Sequence, residues 1–248
     1  MDTTEFFGKN AEKYAKSLSH AKGEDLSTLV ANLPLKSDMA ALDVAAGTGF
    51  TSLALSRQVS VVTAFDVTRQ MLEEARNLFA KEGVKNAVFV KGDVNEMPFL
   101  DESFDVITCR RAAHHFHNKI QFLNESYRLL KHGGYFGLVD MVSPESDDMD
   151  LFNNLERLRD HSHASAGTAR FWKGAVEGLD MKVVFAEVYP ETVSFEKWLY
   201  PVEKSSDEGR ECKEYLEKNS RSLSQLINYD GNSFTKTRMV LVAQKTEP

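Results

Sequence analysis

The chain has 248 residues, 42% hydrophobic and 27% charged, with a net charge of −7. That is enough for a full globular core, and the acidic balance argues against nucleic-acid binding, which draws on basic surface. With Cys109 and Cys212 as its two cysteines the chain allows no disulfide framework beyond one bridge and no zinc-type spacing; it lacks a run of membrane-spanning length and an apolar signal core in "MDTTEFFGKN", so a soluble, cytoplasmic protein is expected.

Residues 10–33 read as two short helices ahead of the first strand. "MAALDVA" (39–45) is a buried apolar strand, and "TSLALSRQ" (51–58) follows it as a helix. "VSVVTAFD" (59–66) is a second, valine-rich strand. "TRQMLEEARNLFAKEG" (68–83) sets Met71, Leu72, Ala75, Leu78 and Phe79 at helical spacing, with Gly83 as C-cap. "NAVFVKGD" (86–93) and "SFDVITCR" (103–110) are the third and fourth strands. "NKIQFLNESYRLLKHGG" (118–134) predicts an amphipathic helix stopped by basic residues and Gly-Gly, and "YFGLVDMV" (135–142) a fifth strand. Residues 145–180 and 194–228 read as polar and mostly helical; 181–190 and 233–245 read as strands.

This alternation defines an α/β fold: a Rossmann-like, doubly wound, seven-stranded, mostly parallel sheet with helical lid segments. The expected arrangement is a single domain over 1–248. Its core covers about 36–143 with 181–190 and 233–245; residues 1–35, 144–180 and 191–232 form the lid.

Such sheets bind ligands beyond the carboxyl ends of their strands. Polar residues collect there: Asp43 with Gly47 and Gly49, then Asp66, Asp93, Arg110 through His117, and Asp140. Gly47 and Gly49 permit a tight turn and close backbone approach to a ligand, although a plain strand-to-helix turn uses glycine too. Asp66 stands where a carboxylate meets a ribose diol, or caps the next helix. Asp93 suits an exocyclic amine such as adenine's, or a simple turn. Taken together the three strand ends describe an adenosine site.

Two cofactors compete for it. A dinucleotide needs Gly-x-Gly-x-x-Gly, but "GTGFTS" puts Ser52 at the third glycine. The other is S-adenosylmethionine. "LDVAAGTG", "FDVTRQML", "GDVNEMPF", "SFDVITCRRAAHHF" and "RLLKHGG" resemble, in order, the motifs of the class I S-adenosylmethionine-dependent methyltransferases. They are most similar to the methyltransferase-11 type, related to the ubiquinone/menaquinone-biosynthesis methyltransferases; "CRRAAHHF" with "LERLRDHSH" (155–163) resembles a bacterial subgroup of that type.

The resemblance implies roles. The backbone of Ala45, Gly47 and Gly49 would hold the methionine part of the cofactor, with Ala45 where the family often has glycine. Asp66 would take the ribose hydroxyls, and Val67 and Met71 would line the adenine. Asp93 would receive the adenine amine and the Val94 backbone a ring nitrogen. Arg110 would lie beside the sulfonium, and Tyr14 would close over the methionine end. S-adenosyl-L-homocysteine would be the product, and the partner a small-molecule methyl acceptor. A homodimer is among the options for assembly. The ubiquinone/menaquinone enzymes usually carry Arg-Asn after the fourth strand; "RRAAHHF" departs from that, so their substrate does not carry over.

The histidines after strand four are the candidates for chemistry. A base is needed when the nucleophile is protonated, and histidine titrates near neutrality. His114 and His115 are the candidate catalytic bases; packing and lid hydrogen bonds are the other use for them. "RLRDHSH" adds Arg159, Asp160, His161 and His163, either packed on the site from the lid or capping a helix. No metal site is expected. A cofactor-binding module without catalysis and an NAD(P)-dependent dehydrogenase are the competing functions.

Overall fold

The computed structural model describes residues 3–15 and 23–247. Helices α1 (Thr3–Ala15) and α2 (Glu24–Ala31) precede β1 (Ala40–Val44), α3 (Phe50–Ser56), β2 (Val61–Asp66), α4 (Arg69–Glu82), β3 (Ala87–Lys91) and β4 (Phe104–Arg110). A short 3-10 turn (Ala113–His115), α5 (Lys119–Leu129), β5 (Leu130–Val142), α6 (Leu151–Arg159), α7 (Ala169–Glu177) and β6 (Met181–Ser194) follow. The chain continues through α8 (Phe195–Leu199), α9 (Asp207–Lys218) and α10 (Ser220–Ile227) to β7 (Ser233–Lys245).

The seven strands form one sheet in the order β3-β2-β1-β4-β5-β7-β6. Every pairing is parallel except those of β7, which runs antiparallel to β5 and β6. A parallel sheet buries both faces, so its central strands read as unbroken apolar runs; Ala41, Leu42 and Val44 of β1 are fully buried. On one face Leu29 of α2, Leu53 and Leu55 of α3 and Phe79 of α4 pack on Val62, Val106, Val139 and Val240. On the other, Phe122 and Leu123 of α5 and Trp172 and Val176 of α7 pack on Leu42, Ile107, Phe136 and Leu138. A third apolar cluster joins Phe152 and Leu155 of α6, Trp198 of α8, Cys212 and Leu216 of α9, Leu223 of α10 and Phe234 of β7.

The strand order turns around between β1 and β4. This switch point opens a crevice at their carboxyl ends, and the loops at 45–49 and 110–117 enter it.

Several boundaries differ from expectation. The helix expected over 118–134 ends at Leu129, because Leu130 is buried and pairs with Phe104 in the sheet. Gly133, at φ +75°, belongs to a register shift in β5, not to a helix cap. Lys131 fastens that shift by bonding Asp105 at 2.9 Å. Strand β6 runs on to Ser194 because each residue from 185 to 194 finds a partner on β7. Of the two amino-terminal helices, residues 16–22 lie outside the described part.

Gly49 caps α3 at φ +87°, and a Cβ there would sit 2.9 Å from the Cβ of Ala75 on α4. Gly49→Ala combines a left-handed conformation unfavourable to an L-residue with overlap in a packed contact. It is expected to destabilise the fold by roughly 2–3 kcal/mol. Urea unfolding measures this; an unchanged midpoint would contradict the close approach of α3 and α4.

Candidate active site

The crevice forms a partly open cavity of about 790 Å3, counted to its open mouth. The turn after β1 supplies Ala45, Ala46, Gly47 and Thr48, and α3 adds Phe50 and Thr51. Asp66, Val67, Thr68 and Met71 come from the end of β2 and the start of α4; Arg110, Arg111, Ala112, His115 and Phe116 come from the end of β4. Helix α1 covers the opening with Phe7 and Tyr14.

The β1 turn has left-handed backbone at Ala45 (φ +53°) and Gly47 (φ +54°). Gly47 is open on its Cβ side, with nothing within 4 Å, so a ligand can approach its backbone. Ala45 holds a conformation that costs an L-residue about 1–2 kcal/mol. Arg111, at φ +56°, is a second non-glycine residue of this kind in the wall, and such strain collects at functional sites.

Asp66 joins the two turns. One carboxylate oxygen accepts the Gly47 N–H and the other the Thr68 N–H, each at 2.8 Å. Burial pushes its carboxyl above the ordinary range, and those N–H groups pull it back toward the ionised form. The Thr68 side chain bonds the Asp66 carboxylate as well, and of that group's roughly four acceptor sites one is left for a ligand hydroxyl. Capping and ligand binding are therefore compatible at this residue.

Asp43 lies beneath the turn, where Ser52 Oγ donates to it at 2.6 Å and Thr108 Oγ1 at 2.9 Å. Burial pushes its carboxyl up to about 6. Ser52, at the third-glycine position of the dinucleotide pattern, thus serves to hold Asp43.

Arg110 lines the cavity, but its Nε and Nη2 bond Asp25 of α2 at 3.2 and 2.9 Å. Arg111 clasps the same carboxylate at 2.7 and 3.0 Å. Buried against two guanidinium groups, Asp25 stays well below the usual carboxylate range despite its desolvation.

The histidines separate into different roles. His115 lines the cavity; His114 does not. His114 bonds Asp140 twice: its backbone N–H donates to Oδ2 at 2.8 Å and its Nδ1 meets Oδ1 at 2.6 Å. Its carbonyl accepts the N–H groups of Ala164 and Ser165, which fastens the lid to the strand end. His115 Nδ1 lies 3.0 Å from the Ser162 carbonyl. A carbonyl only accepts, so Nδ1 carries the proton and Nε2 the lone pair. Burial and then the neighbouring His114 push the His115 imidazole down to about 4, which keeps it neutral. The His114 and His115 rings are 4.1 Å apart, and Phe7 meets His115 edge-on at 5.0 Å.

The 155–163 segment does pack on the site. Ser162 Oγ donates to Asp160 at 2.6 Å, and His163, held by Asn153 at 2.8 Å, lies 5.5 Å from the His114 ring. His161 is exposed. Burial, reinforced by Asp160, pushes the Tyr14 phenol up to about 12, so it remains protonated.

Of the residues singled out from sequence, Tyr14, Ala45, Gly47, Asp66, Val67, Met71, Arg110 and His115 come together on this cavity. Gly49, Asp93, Val94 and His114 are not in its lining. Asp93 is exposed and its Oδ1 accepts from Asn95 at 2.8 and 2.7 Å; Val94 packs against the core. Phe7, Phe50, Thr68 and Phe116 were missed. Nothing local marks them, since cavity-lining aromatic residues look like core residues in sequence and Thr68 looks like an ordinary helix cap. Among the described residues no cluster of three or more His, Cys, Asp and Glu could hold a metal ion, and no helix is long and apolar enough to cross a membrane.

A sheet of this order with a crevice at its switch point is the architecture of a doubly wound, ligand-binding α/β protein. The type-11 methyltransferase-domain family matches residues 42–138. The chain is 36% identical over 194 residues to the uncharacterized methyltransferase YcgJ of Bacillus subtilis, covering 78% of this chain and 77% of that protein. The solved structure of YcgJ aligns with a TM-score of 0.81 at 29% identity, over 90% of this chain and 99% of that one. A solved Bacillus halodurans structure, described as a methyltransferase, aligns with a TM-score of 0.84 at 34% identity, over 91% and 100%. The chain belongs to the class I S-adenosylmethionine-dependent methyltransferases. The resemblance read from its motifs and the expected fold are thereby borne out, and the dehydrogenase alternative falls.

S-adenosylmethionine is the methyl donor of this family, and the cavity suits it: the open Cβ side of Gly47 and the remaining acceptor site of Asp66 offer a cradle for a nucleoside.

Proposed function

We propose that the chain methylates a small molecule, with the acceptor entering beneath α1 and His115 serving as the base. When bound, the cofactor supplies a methyl group on a sulfonium, open to in-line displacement. The carrying observation is the His115 ring in the cavity wall, its Nδ1 3.0 Å from the Ser162 carbonyl. That arrangement leaves Nε2 to take a proton from a phenol, enol or carbon acid. Asp66 would bind the ribose hydroxyls, the backbone at Ala45 and Gly47 the methionine end, and Val67 and Met71 the adenine. Asp93 and Val94 would complete the adenine edge from outside the cavity. His114, bonded to Asp140 and with its ring 4.1 Å from that of His115, would position the base. Phe7 and Tyr14 would exclude water.

A partly aromatic cavity and a net charge of −7 support a small acceptor over nucleic acid. The bonds from Ala164 and Ser165 to His114 support reading core and lid as one domain. Methyl-labelled S-adenosylmethionine incubated with the protein and fractionated cell extract should label the small-molecule fraction. Label confined to RNA or protein would overturn this reading.

A further inference from the structure

Three arginines crowd one carboxylate. Arg110 and Arg111 each clasp Asp25 with two bonds. Arg238 of β7 stands off: its Nε is 3.9 Å from Asp25 and its Nη1 3.8 Å from Glu191, which Lys197 already bonds at 3.0 Å. Among the described residues the Arg238 side chain makes no hydrogen bond, and its Nε is buried without a partner. A buried donor without an acceptor carries a cost that a bound acceptor removes.

Arg159 repeats the pattern. Its Nη2 reaches Glu156 at 2.9 Å, while its Nε is buried and unpartnered. Lys236 shares that same Glu156 at 2.8 Å. Lys236 and Arg238 are two residues apart on β7 and so lie on one sheet face. Burial and the neighbouring Arg111 lower the proton affinity of Arg238; burial and the neighbouring Arg159 and Arg238 outweigh Glu156 in lowering that of Lys236.

Arg159, Lys236 and Arg238 lie outside the lining of the cavity, and Arg238 is one strand away from it. Arg110 pairs with Val139 and Arg238 with Met141, so β5 alone separates the end of β4 from Arg238. Arg111, in the cavity wall, shares Asp25 with Arg238. On the far side, Tyr14 of the wall feels the charges of Asp160 and Arg159.

We propose that Arg238, which shares Asp25 with the cavity-wall Arg111, binds an anionic group of the methyl acceptor, so the substrate is an organic anion carrying a carboxylate or phosphate. The proposal rests on the methyltransferase reading above. A guanidinium fork matches either anion, and the rings of Phe7, Tyr14 and Phe116 give its body an aromatic wall.

Calorimetry on the full chain saturated with S-adenosylhomocysteine tests this, using phenylacetate, phenyl phosphate and the neutral phenylacetamide as probes. At least one anion should bind about tenfold or more tighter than the amide, and the tighter of the two shows which acid the site prefers. Arg238→Met should abolish that preference and leave S-adenosylhomocysteine affinity unchanged. Should that variant misfold, Arg238→Lys carries the test and should weaken the preferred anion selectively. Equal affinity for amide and anions, no binding of either anion, or an anion preference that survives the substitution would overturn the proposal. Failure of the wild-type chain to bind S-adenosylhomocysteine would overturn the cofactor assignment as well, which separates the two ideas.

Discussion

Replacing His115 by Ala should lower turnover about 10²–10⁴-fold, the range for a positioned general base, while leaving S-adenosylhomocysteine affinity nearly intact. Its side chain makes no bond to the turns at Gly47 or Asp66, so the cofactor cradle survives. The pH dependence carries its own signature. The base works only when neutral, and burial holds the ring's pKa at about 4, below the ordinary 6.5. Activity should therefore stay level as pH falls from neutrality toward 5, then drop as the ring protonates near 4. An acid limb centred at the ordinary histidine value would contradict the buried geometry. Unchanged turnover in His115→Ala, on a true acceptor, would remove the base altogether. His114→Ala tests positioning: it should lower turnover less and shift the pH profile, because it removes the neighbour that helps depress His115.

Asp66→Ala should weaken S-adenosylhomocysteine binding by at least about tenfold. A charge-assisted hydrogen bond to a ribose hydroxyl contributes on the order of 1.5–3 kcal/mol. The substitution also strips the Gly47 and Thr68 N–H groups of their acceptor, so the turns after β1 and β2 lose their tie. Asp66→Asn keeps the shape and one acceptor oxygen and should lose less. Calorimetry decides, and an unaltered dissociation constant in Asp66→Ala would refute the ribose assignment.

Much of this site was legible because it is made of strand ends. Gly47, Asp66 and Arg110 follow short apolar runs whose parallel packing sets their carboxyl ends side by side, so position in the chain translated into position in space. The first limit was the choice within "AAHHFH". The two histidines are adjacent, and only the turn at 113–115 puts His115 into the cavity and His114 onto Asp140. The second was long-range pairing. Asp25 lies in a polar amino-terminal helix, and no periodicity connects it with Arg110, 85 residues away. The third was Arg238, which looks like an ordinary polar position in "TKTRMVLVA" until β7 inserts beside β5. Asp93 shows the converse. Its place after β3 was read correctly, yet its side chain is exposed in a turn outside the cavity. "LLKHGG" misled for a related reason: a Gly-Gly after basic residues is a good helix stop, but burial of Leu130 starts the strand earlier.

The central claim is that the cavity at the switch point holds S-adenosylmethionine with its methyl group facing His115. A crystal structure grown with S-adenosylhomocysteine tests it most directly. Ribose hydroxyls are expected on the Asp66 carboxylate, the homocysteine end against Ala45 and Gly47, and the sulfur on the His115 side of the cavity. Density elsewhere on the sheet, or a ribose turned away from Asp66, would contradict it.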